Sequence, residues 1–99
     1  MPNKKTYRLY PKAVEDLESI YLYSASEFGV KKADNYILQI ETGFKYLVKE
    51  PLASRKCDHV RQDLRSFSIA SHIIFFKITK YGIVVMRVLH KSMEFPRHL

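Results

Sequence analysis

The chain has 99 residues, of which 46% are hydrophobic and 27% are charged, and its net charge is +7. This length predicts one domain over residues 1–99, with an ordinary hydrophobic core and no room for a second domain. The seven Tyr and six Phe exclude a disordered chain. No run of about eighteen apolar residues is present, and the first ten residues, MPNKKTYRLY, hold no apolar signal segment, so neither membrane spanning nor export is expected.

The first half of the chain predicts a short strand followed by two helices. A β-like stretch covers Thr6–Tyr10, and Pro11 then suits the first turn of a helix, where acidic residues at 15 and 16 are expected to meet the positive end of the helix dipole. Gly29 predicts a left-handed helix end, and Glu50-Pro51 ends the second helix. Two long helices with so short a connector are expected to lie antiparallel. The apolar stripes that define them are Val14, Leu17, Tyr21, Ala25 and Phe28, then Ala33, Tyr36, Ile37, Ile40, Phe44, Leu47 and Val48.

The second half predicts a loop followed by three strands. The run LASRKCDHVRQD (52–63) is polar and has no period, which is typical of a loop. The segments 64–69, 72–79 and 83–90 are short, rich in β-branched or aromatic residues and separated by two or three residues, which indicates an antiparallel meander. The predicted fold is therefore α+β: an N-terminal strand, an antiparallel two-helix hairpin and a three-stranded antiparallel meander, all strands forming one sheet.

Both faces of the predicted sheet are apolar. In the second strand of the meander, strict alternation places Ile74, Phe76 and Ile78 on one face of the sheet and Ile73 and Phe75 on the other. In the third strand it separates Ile83, Val85 and Leu89 in the same way from Val84, Met86 and Val88. One helix hairpin covers one face. The other face is expected to be covered either by the 51–63 loop and the C-terminal tail, with Met93 and Phe95 as plugs, or by a partner segment or second copy of the chain.

Metal and nucleotide chemistry are not expected. Cys57, Asp58 and His59 are neighbours, but no pair of ligand-type residues has a tight spacing such as CxxC or HxxxH. The three glycines are scattered, so there is no phosphate-binding loop. A single cysteine cannot form an internal disulfide, which is typical of the reducing cytoplasm. Cys57 is interpreted as inert or partly buried, and no cofactor or metal is predicted.

The positive charge is concentrated in the second half of the chain. Residues 1–50 carry eight Lys or Arg against seven Asp or Glu, whereas residues 51–99 carry nine against three and include all four histidines. Such a surface suits nucleic acid, an acidic protein segment or an acidic patch on an enzyme, and it is also compatible with simple solubility.

Metal-free RNA cleavage is the enzymatic alternative. It needs a base for the 2′-hydroxyl, an acid for the leaving oxygen and cations for the phosphorane charge. Arg61, Arg65, Arg87 and His90, with Lys91 and His98, have suitable side chains. The competing interpretation is that Arg65 and Arg87 are surface charges or members of buried ion pairs.

Three ordered segments then carry a family resemblance. YRLYPKAVEDLESIYLYSASEFG, LRSFSIASHIIFFKI and VVMRVLHKSMEFPRHL resemble the ParE branch of the ParE/RelE toxin superfamily across essentially the full chain. The most specific parts are the LRSF strand start, the H-x-I-F-[FY] strand and a tail of the form RVLH…M…RHL. The resemblance implies the toxin of a type II toxin–antitoxin module. ParE members act on DNA gyrase by direct binding, whereas RelE relatives cleave messenger RNA on the ribosome.

The resemblance favours the non-enzymatic, gyrase-directed branch. RelE-type nucleases depend on a C-terminal tyrosine or a His-Tyr pair, but the last tyrosine here is Tyr81, in a predicted turn, and Lys91 follows His90. The chain also departs from the ParE pattern, because the tail has Lys91-Ser92 and Glu94 where Gly or Gln, Arg and Asp are more typical, and Pro96 precedes Arg97.

The resemblance also implies two binding surfaces. The tail is the expected effector surface, with core cover as its alternative role. A ParD-like antitoxin is expected to use an acidic C-terminal segment that folds on the apolar sheet face; neither membrane binding nor sequence-specific DNA binding by the toxin is expected. The candidate target-binding residues are Arg61, Arg65, His90, Lys91, Met93, Arg97 and His98. The candidate antitoxin-binding residues are Ile73, Phe75, Val84, Met86 and Phe95.

Overall fold

The computed structural model describes residues 4–93, together with Arg97 and Leu99. Two helices pack on a five-stranded sheet, which confirms the predicted α+β class. Among the described residues, no helix is long and apolar enough to cross a membrane. The elements are β1 (Thr6–Leu9), α1 (Pro11–Phe28), α2 (Val30–Lys49), a 3₁₀ turn (Pro51–Ala53), β2 (Arg55–Lys56), β3 (Arg65–Ile69), β4 (His72–Thr79) and β5 (Gly82–His90).

The sheet has the strand order β1-β5-β4-β3-β2. Strands β2 to β5 form antiparallel neighbours, whereas β1 runs parallel to β5, with Thr6 opposite Gly82 and Leu9 opposite Val85. Strand β2 was missed by the sequence prediction because its two residues, Arg55 and Lys56, are polar and exposed and show no alternation. The polar segment 52–63 is therefore a loop with one short strand in it.

Gly29 alone connects the two helices. Its backbone has φ 93° and ψ 160°, and its N–H donates to the carbonyl of Ala25. The predicted positive φ is confirmed, but the residue is extended rather than in the left-handed helical region. This combination is open almost only to glycine, and it reverses the chain within one residue.

The predicted role of Glu15 and Asp16 at the helix start is wrong. Pro11 is the first helical residue and the first turn of α1 holds no acidic side chain. The two carboxylates therefore lie in the second turn, beyond the main reach of the helix dipole. Asp16 bonds instead to β5, as described below.

The main core lies between the hairpin and one face of the sheet. It is built on fully buried side chains from α2 and the central strands, including Phe44, Leu47 and Phe76. Tyr7 of β1 packs its ring 5.1 Å from that of Phe44, centroid to centroid. The helix stripes were only partly predicted, because Val14 and Phe28 are 41% and 61% exposed.

A β-bulge changes which residues of β5 face the helices. Phe76 pairs with Val85 but Phe75 pairs with Arg87, so Met86 is an extra residue in β5. After the bulge, side-chain alternation shifts by one position. Val88 therefore joins the helix-side core and Leu89 joins the opposite face. The strict alternation predicted for these two residues is wrong.

The opposite face of the sheet is covered by the chain itself. Cys57, Leu64, Phe75, Met86 and Leu89 form a second buried cluster. Leu99 and Val60 pack against it, and Arg61 donates a hydrogen bond to the carbonyl oxygen of Leu99. Cover by the loop around 57–64 and by Leu99 at the end of the tail is thus observed, as one of the two predicted alternatives has it. The predicted plug Met93 is instead exposed, and Phe95 lies outside the described residues. Cys57 is buried, as predicted, and its thiol donates to the Ser66 hydroxyl at 3.4 Å.

Replacing Gly82 is expected to destabilise the protein more than replacing Gly29. Both glycines have positive φ, but a Cβ at Gly82 would lie 1.8 Å from the carbonyl oxygen of Thr6, whereas a Cβ at Gly29 meets nothing within 4 Å. Gly29→Ala should cost about 1–3 kcal/mol of unfolding free energy from backbone strain alone. Gly82→Ala should cost at least about 3 kcal/mol, because β1 must also move. Urea unfolding of both variants checks the order, and equal losses would contradict it.

Candidate functional site

Arg87 is held by a carboxylate from the first helix. Its Nε and Nη2 each donate to Asp16 at 2.8 Å, and both side chains are largely buried, at 15% and 12% exposed. The hydrogen bond from Arg87 to Asp16 raises the pKa of the guanidinium, although burial opposes this. Arg87 is thus a member of an ion pair, as one of the interpretations has it, and the pair is partly buried.

The same carboxylate completes the exposed edge of β5. Strand β1 ends at Leu9, opposite Val85, and the last bond along this edge runs from Tyr10 N–H to the Val85 carbonyl. Farther along, the N–H of Val88 donates to Asp16 Oδ2 at 2.9 Å. Asp16 therefore serves as the acceptor that a longer β1 would have supplied, and it ties α1 to the strand that leads into the tail.

Arg61 and Arg65 are each oriented by hydrogen bonds to neighbouring segments. Arg65 is half-buried on β3 and donates to the Ser54 hydroxyl at 2.7 Å and to the Ser54 carbonyl at 3.0 Å. Arg61 is exposed in the loop and bonds to Leu99, as noted above. Asp58 and Asp63 line the shallow depression that Arg65 also lines, so that part of the surface is not purely cationic.

The tail begins with an ordered turn. His90 Nδ1 accepts the N–H of Ser92 at 3.1 Å and lies 2.8 Å from its hydroxyl, and the N–H of Met93 donates to the His90 carbonyl at 3.0 Å. His90, Lys91 and Met93 are exposed, as is Arg97. The remaining tail candidates, Phe95 and His98, lie outside the described residues.

His72 was not singled out by the sequence, but it lies beside His90. The two strands pair these residues directly, and their ring centroids are 5.2 Å apart with the planes nearly perpendicular. Tyr36 Oη accepts the Ser71 N–H at 3.2 Å and lies 2.6 Å from His72 Nδ1. Burial lowers the pKa of His72, and the charge of His90 adds to this, against a smaller opposing effect of Asp16. The lowered pKa favours the neutral form of His72 near pH 7, and its Nδ1 shares a hydrogen bond with the Tyr36 hydroxyl.

An open groove lies between this histidine pair and the helix hairpin. Its volume is about 640 Å³, within the usual range of ligand-binding pockets. Most of its surface is apolar, and the described part of the chain contributes no Asp or Glu to its lining. The lining residues are Ser19, Ile20, Tyr23, Ser24, Phe28, Lys32, Tyr36, Ser71, His72 and His90. Only His90 of these was predicted as a site residue.

The sequence did contain a partial signal for the groove. Phe28 stands next to Gly29 at the end of the α1 stripe, and Tyr23 lies outside that stripe altogether. In the structure they are 61% and 64% exposed. An aromatic residue that helical periodicity leaves outside the core indicates an interaction surface only once its neighbours are known.

Comparison with known proteins identifies the family. The family model described as "ParE toxin of type II toxin-antitoxin system, parDE" matches residues 7–95, which is most of the chain. The chain belongs to the ParE toxin family. The recognition made from the sequence segments is thereby confirmed.

Individual relatives agree with this assignment. Toxin ParE1 of Mycobacterium tuberculosis is 33% identical over 94 residues, which cover 94% of this chain and 96% of the relative. Toxin ParE1 of Caulobacter vibrioides is 30% identical over 95 residues, which cover 96% and 98%. A solved structure titled "Chromosomal ParDE TA system from P. aeruginosa" matches with a TM-score of 0.76 at 18% identity, covering 90% of this chain and 98% of that one. This last likeness supports the fold.

The basic residues of this ParE toxin do not converge on one point. His90 pairs with His72, which pairs with Ile69, whereas Arg65 is four residues away along β3. Two strand spacings and four residue rises separate the Cα atoms of His90 and Arg65 by about 17 Å. General acid and base groups must reach one substrate at hydrogen-bond distance, so Arg65 and His90 do not form one catalytic pair in this conformation.

The candidate antitoxin-binding residues of the ParE toxin differ in accessibility. Ile73 and Val84 are half-buried at the margin of the second cluster. Phe75 and Met86 are only 1% and 7% exposed, under the 57–64 loop and Leu99. A partner can reach the latter two only by displacing that cover.

Removing the Asp16 carboxylate is expected to destabilise the ParE toxin strongly. Asp16→Ala removes the acceptor of two Arg87 hydrogen bonds and of the Val88 N–H bond, which should cost about 3 kcal/mol of unfolding free energy. Glu18→Ala is the matched control, since Glu18 is an exposed acid on the same helix, and should change stability by less than about 0.5 kcal/mol. Chemical denaturation of both variants tests this. Similar values would show that the Asp16 contacts contribute little.

His72 should make stability decrease as the pH falls. Its pKa is lowered in the folded state, so the unfolded chain binds a proton first. The contribution of neutral His72 to the unfolding free energy is complete above the ordinary histidine pKa of about 6.5. It is lost as the pH falls from there through the pKa that His72 has in the folded state. Unfolding free energies measured between pH 7.5 and 5 should fall less steeply in His72→Gln than in the parent chain. Parallel profiles would contradict this role of His72.

Proposed function

We propose that this ParE toxin inhibits DNA gyrase in the cytoplasm by direct binding, without catalysis, and that a ParD-like antitoxin neutralises it. The observation that carries the proposal is the family match over residues 7–95. The exposed start of the tail, with His90, Lys91 and Met93, provides a surface that is both cationic and apolar. A large acidic partner can reach this surface without any rearrangement of the core.

The positions of the basic residues support the non-enzymatic form of the proposal. Asp16 holds Arg87, and Ser54 orients Arg65. Tyr81, the last tyrosine of the chain, lies in the turn before β5, whereas His90 ends that strand. The two ends of β5 are eight residues apart, which corresponds to about 27 Å along the strand. The ribonuclease alternative therefore lacks a C-terminal tyrosine beside His90, and Tyr36 of the neighbouring groove bonds to His72.

The antitoxin part of the proposal has two supports. The net charge of +7 favours an acidic partner, and the similar P. aeruginosa structure is titled a ParDE system. We propose that the acidic C-terminal segment of the antitoxin folds as it binds. Ile73 and Val84 remain candidate contacts, and Phe75, Met86 and Phe95 would join them where that segment replaces the chain's own cover.

Tail substitutions should weaken gyrase inhibition. The double variant Lys91→Glu with Met93→Ser removes a cation and an apolar contact from the exposed tail and should raise the concentration needed for half-inhibition of DNA supercoiling by at least about tenfold. Lys80→Glu is the matched control. Lys80 is also exposed but lies at the opposite end of β5, and it should retain nearly full inhibition.

Two results would contradict the gyrase proposal. One is unchanged supercoiling at high concentrations of a chain that still arrests growth. The other is cleavage of transcripts during in-vitro translation that is lost in Arg65→Ala or His90→Ala, which would establish the ribonuclease alternative. Running both assays on the same preparation separates the two functions.

A further inference from the structure

The hairpin wall of the groove carries two exposed aromatic side chains that belong to neither core cluster. Tyr23 and Phe28 of α1 line the groove and are 64% and 61% exposed. Exposed aromatic rings in a cationic groove are the feature on which unpaired nucleic-acid bases stack. The hairpin wall thus supplies the apolar half of a site for such bases.

The polar groups of the groove favour an anion. Lys32 of α2 is an exposed cation in the lining. His90 Nδ1 accepts the N–H of Ser92 at 3.1 Å, so the neutral imidazole of His90 carries its proton on Nε2, where it is a hydrogen-bond donor. The described residues add serine hydroxyls and no carboxylate to the lining. A phosphate group therefore meets a cation and donors here without an opposing negative charge.

The groove favours unpaired over paired nucleotides. In a duplex each base face is covered by its neighbours in the stack, so aromatic side chains reach base faces only in a single strand. The groove volume of about 640 Å³ is that of a small-molecule pocket, which suits a nucleotide rather than a duplex. Stacking carries little sequence preference, in keeping with the expectation that the toxin does not read a DNA sequence.

We propose that the groove binds single-stranded DNA. Bases stack on Tyr23 and Phe28, and the phosphate that joins them is held by Lys32 and by the Nε2–H of His90. The choice of DNA over RNA rests on the proposed function, because gyrase acts on DNA. The lining agrees with this choice, since the ribose 2′-hydroxyl of RNA is a donor and no carboxylate of the described residues lines the groove to accept it.

The position of the groove joins the DNA site to the surface proposed for gyrase. His90 lines the groove and also begins the exposed tail, where Lys91 and Met93 follow it. A toxin bound to gyrase through the tail therefore holds the groove beside the DNA on which the enzyme acts. Two such contacts bind more tightly than either alone, because the second forms within a complex that is already assembled.

Three matched pairs of variants test the groove. The probe is a fluorescein-labelled oligothymidine of about ten nucleotides, a length within the site sizes of single-strand-binding folds. Its affinity for the full-length toxin is measured by fluorescence anisotropy. Each control residue is exposed, lies within two positions of its partner and is not among the residues that line the groove. The pairs are Tyr23→Ala with Leu22→Ala, Phe28→Ser with Val30→Ser, and Lys32→Glu with Lys31→Glu.

Each groove variant should weaken oligothymidine binding by at least about fivefold, and each control by less than about twofold. For Lys32→Glu, the slope of log affinity against log salt concentration should be smaller by about 0.7 than for Lys31→Glu, because one phosphate contact is lost. Thermal unfolding should be nearly unchanged in all six variants, since the substituted side chains are exposed. An unlabelled duplex of the same length should compete at least about fivefold less well than the unlabelled single strand.

Four results would overturn the inference. Absence of saturable binding by the parent toxin would remove the site altogether. Parent-like affinity in all three groove variants would place the binding elsewhere on the cationic surface. Equal competition by the duplex would contradict base stacking, and tighter binding of oligouridine than of oligothymidine would contradict the choice of DNA.

Supercoiling assays on the same preparations separate this inference from the proposed function. Gyrase inhibition by a parent toxin that binds no oligothymidine would overturn the groove assignment and leave the gyrase proposal intact. Unchanged supercoiling in the presence of a toxin that binds oligothymidine through the groove would overturn the gyrase proposal and support the DNA site.

Discussion

The carboxylate of Asp16 is the contact on which the arrangement of the molecule depends. It accepts two hydrogen bonds from Arg87 and one from the Val88 N–H, at the point where β1 no longer covers the edge of β5. Partly buried charge pairs hold geometry well because a misplaced partner leaves an unsolvated charge. One side chain of α1 therefore sets the position of the hairpin against β5, and with it the separation of the two groove walls.

The β-bulge at Met86 determines which side chains of β5 face the helix hairpin across the groove. With regular alternation, His90 would share a face with Val84 and Met86 and point away from the hairpin. The extra residue reverses this, so that His90 follows Val88 on the helix side and pairs with His72. Met86 is the residue that the bulge leaves without a ladder partner, whereas Arg87 pairs with Phe75 and reaches Asp16 from that position.

The sequence predicted the parts of the fold that follow from hydrophobic periodicity. It could not predict the parts that depend on the pairing register between strands. Helices with stripes at three- and four-residue steps, and strands of β-branched residues, are local patterns that tertiary packing reinforces. The bulge and β2 are not local, since each exists only because of a neighbouring strand. The exchange of Val88 and Leu89 shows the consequence, as one inserted residue reverses every face assignment after it. The groove was missed for the same reason, because its walls come from 19–36 and 71–90.

The excess positive charge acts mainly where no carboxylate opposes it. Around Arg65, the loop residues Asp58 and Asp63 offset the neighbouring lysines, and Asp16 offsets Arg87. Among residues 4–93, 97 and 99, the groove is lined by Lys32 and by no acid. Charges in a concave, apolar surface are screened less by salt than charges on a convex one, and they attract an acidic partner from a greater distance. The positive electrostatic field and the exposed aromatic surface thus coincide at the end of the sheet beside the helix hairpin. The tail begins at the same end.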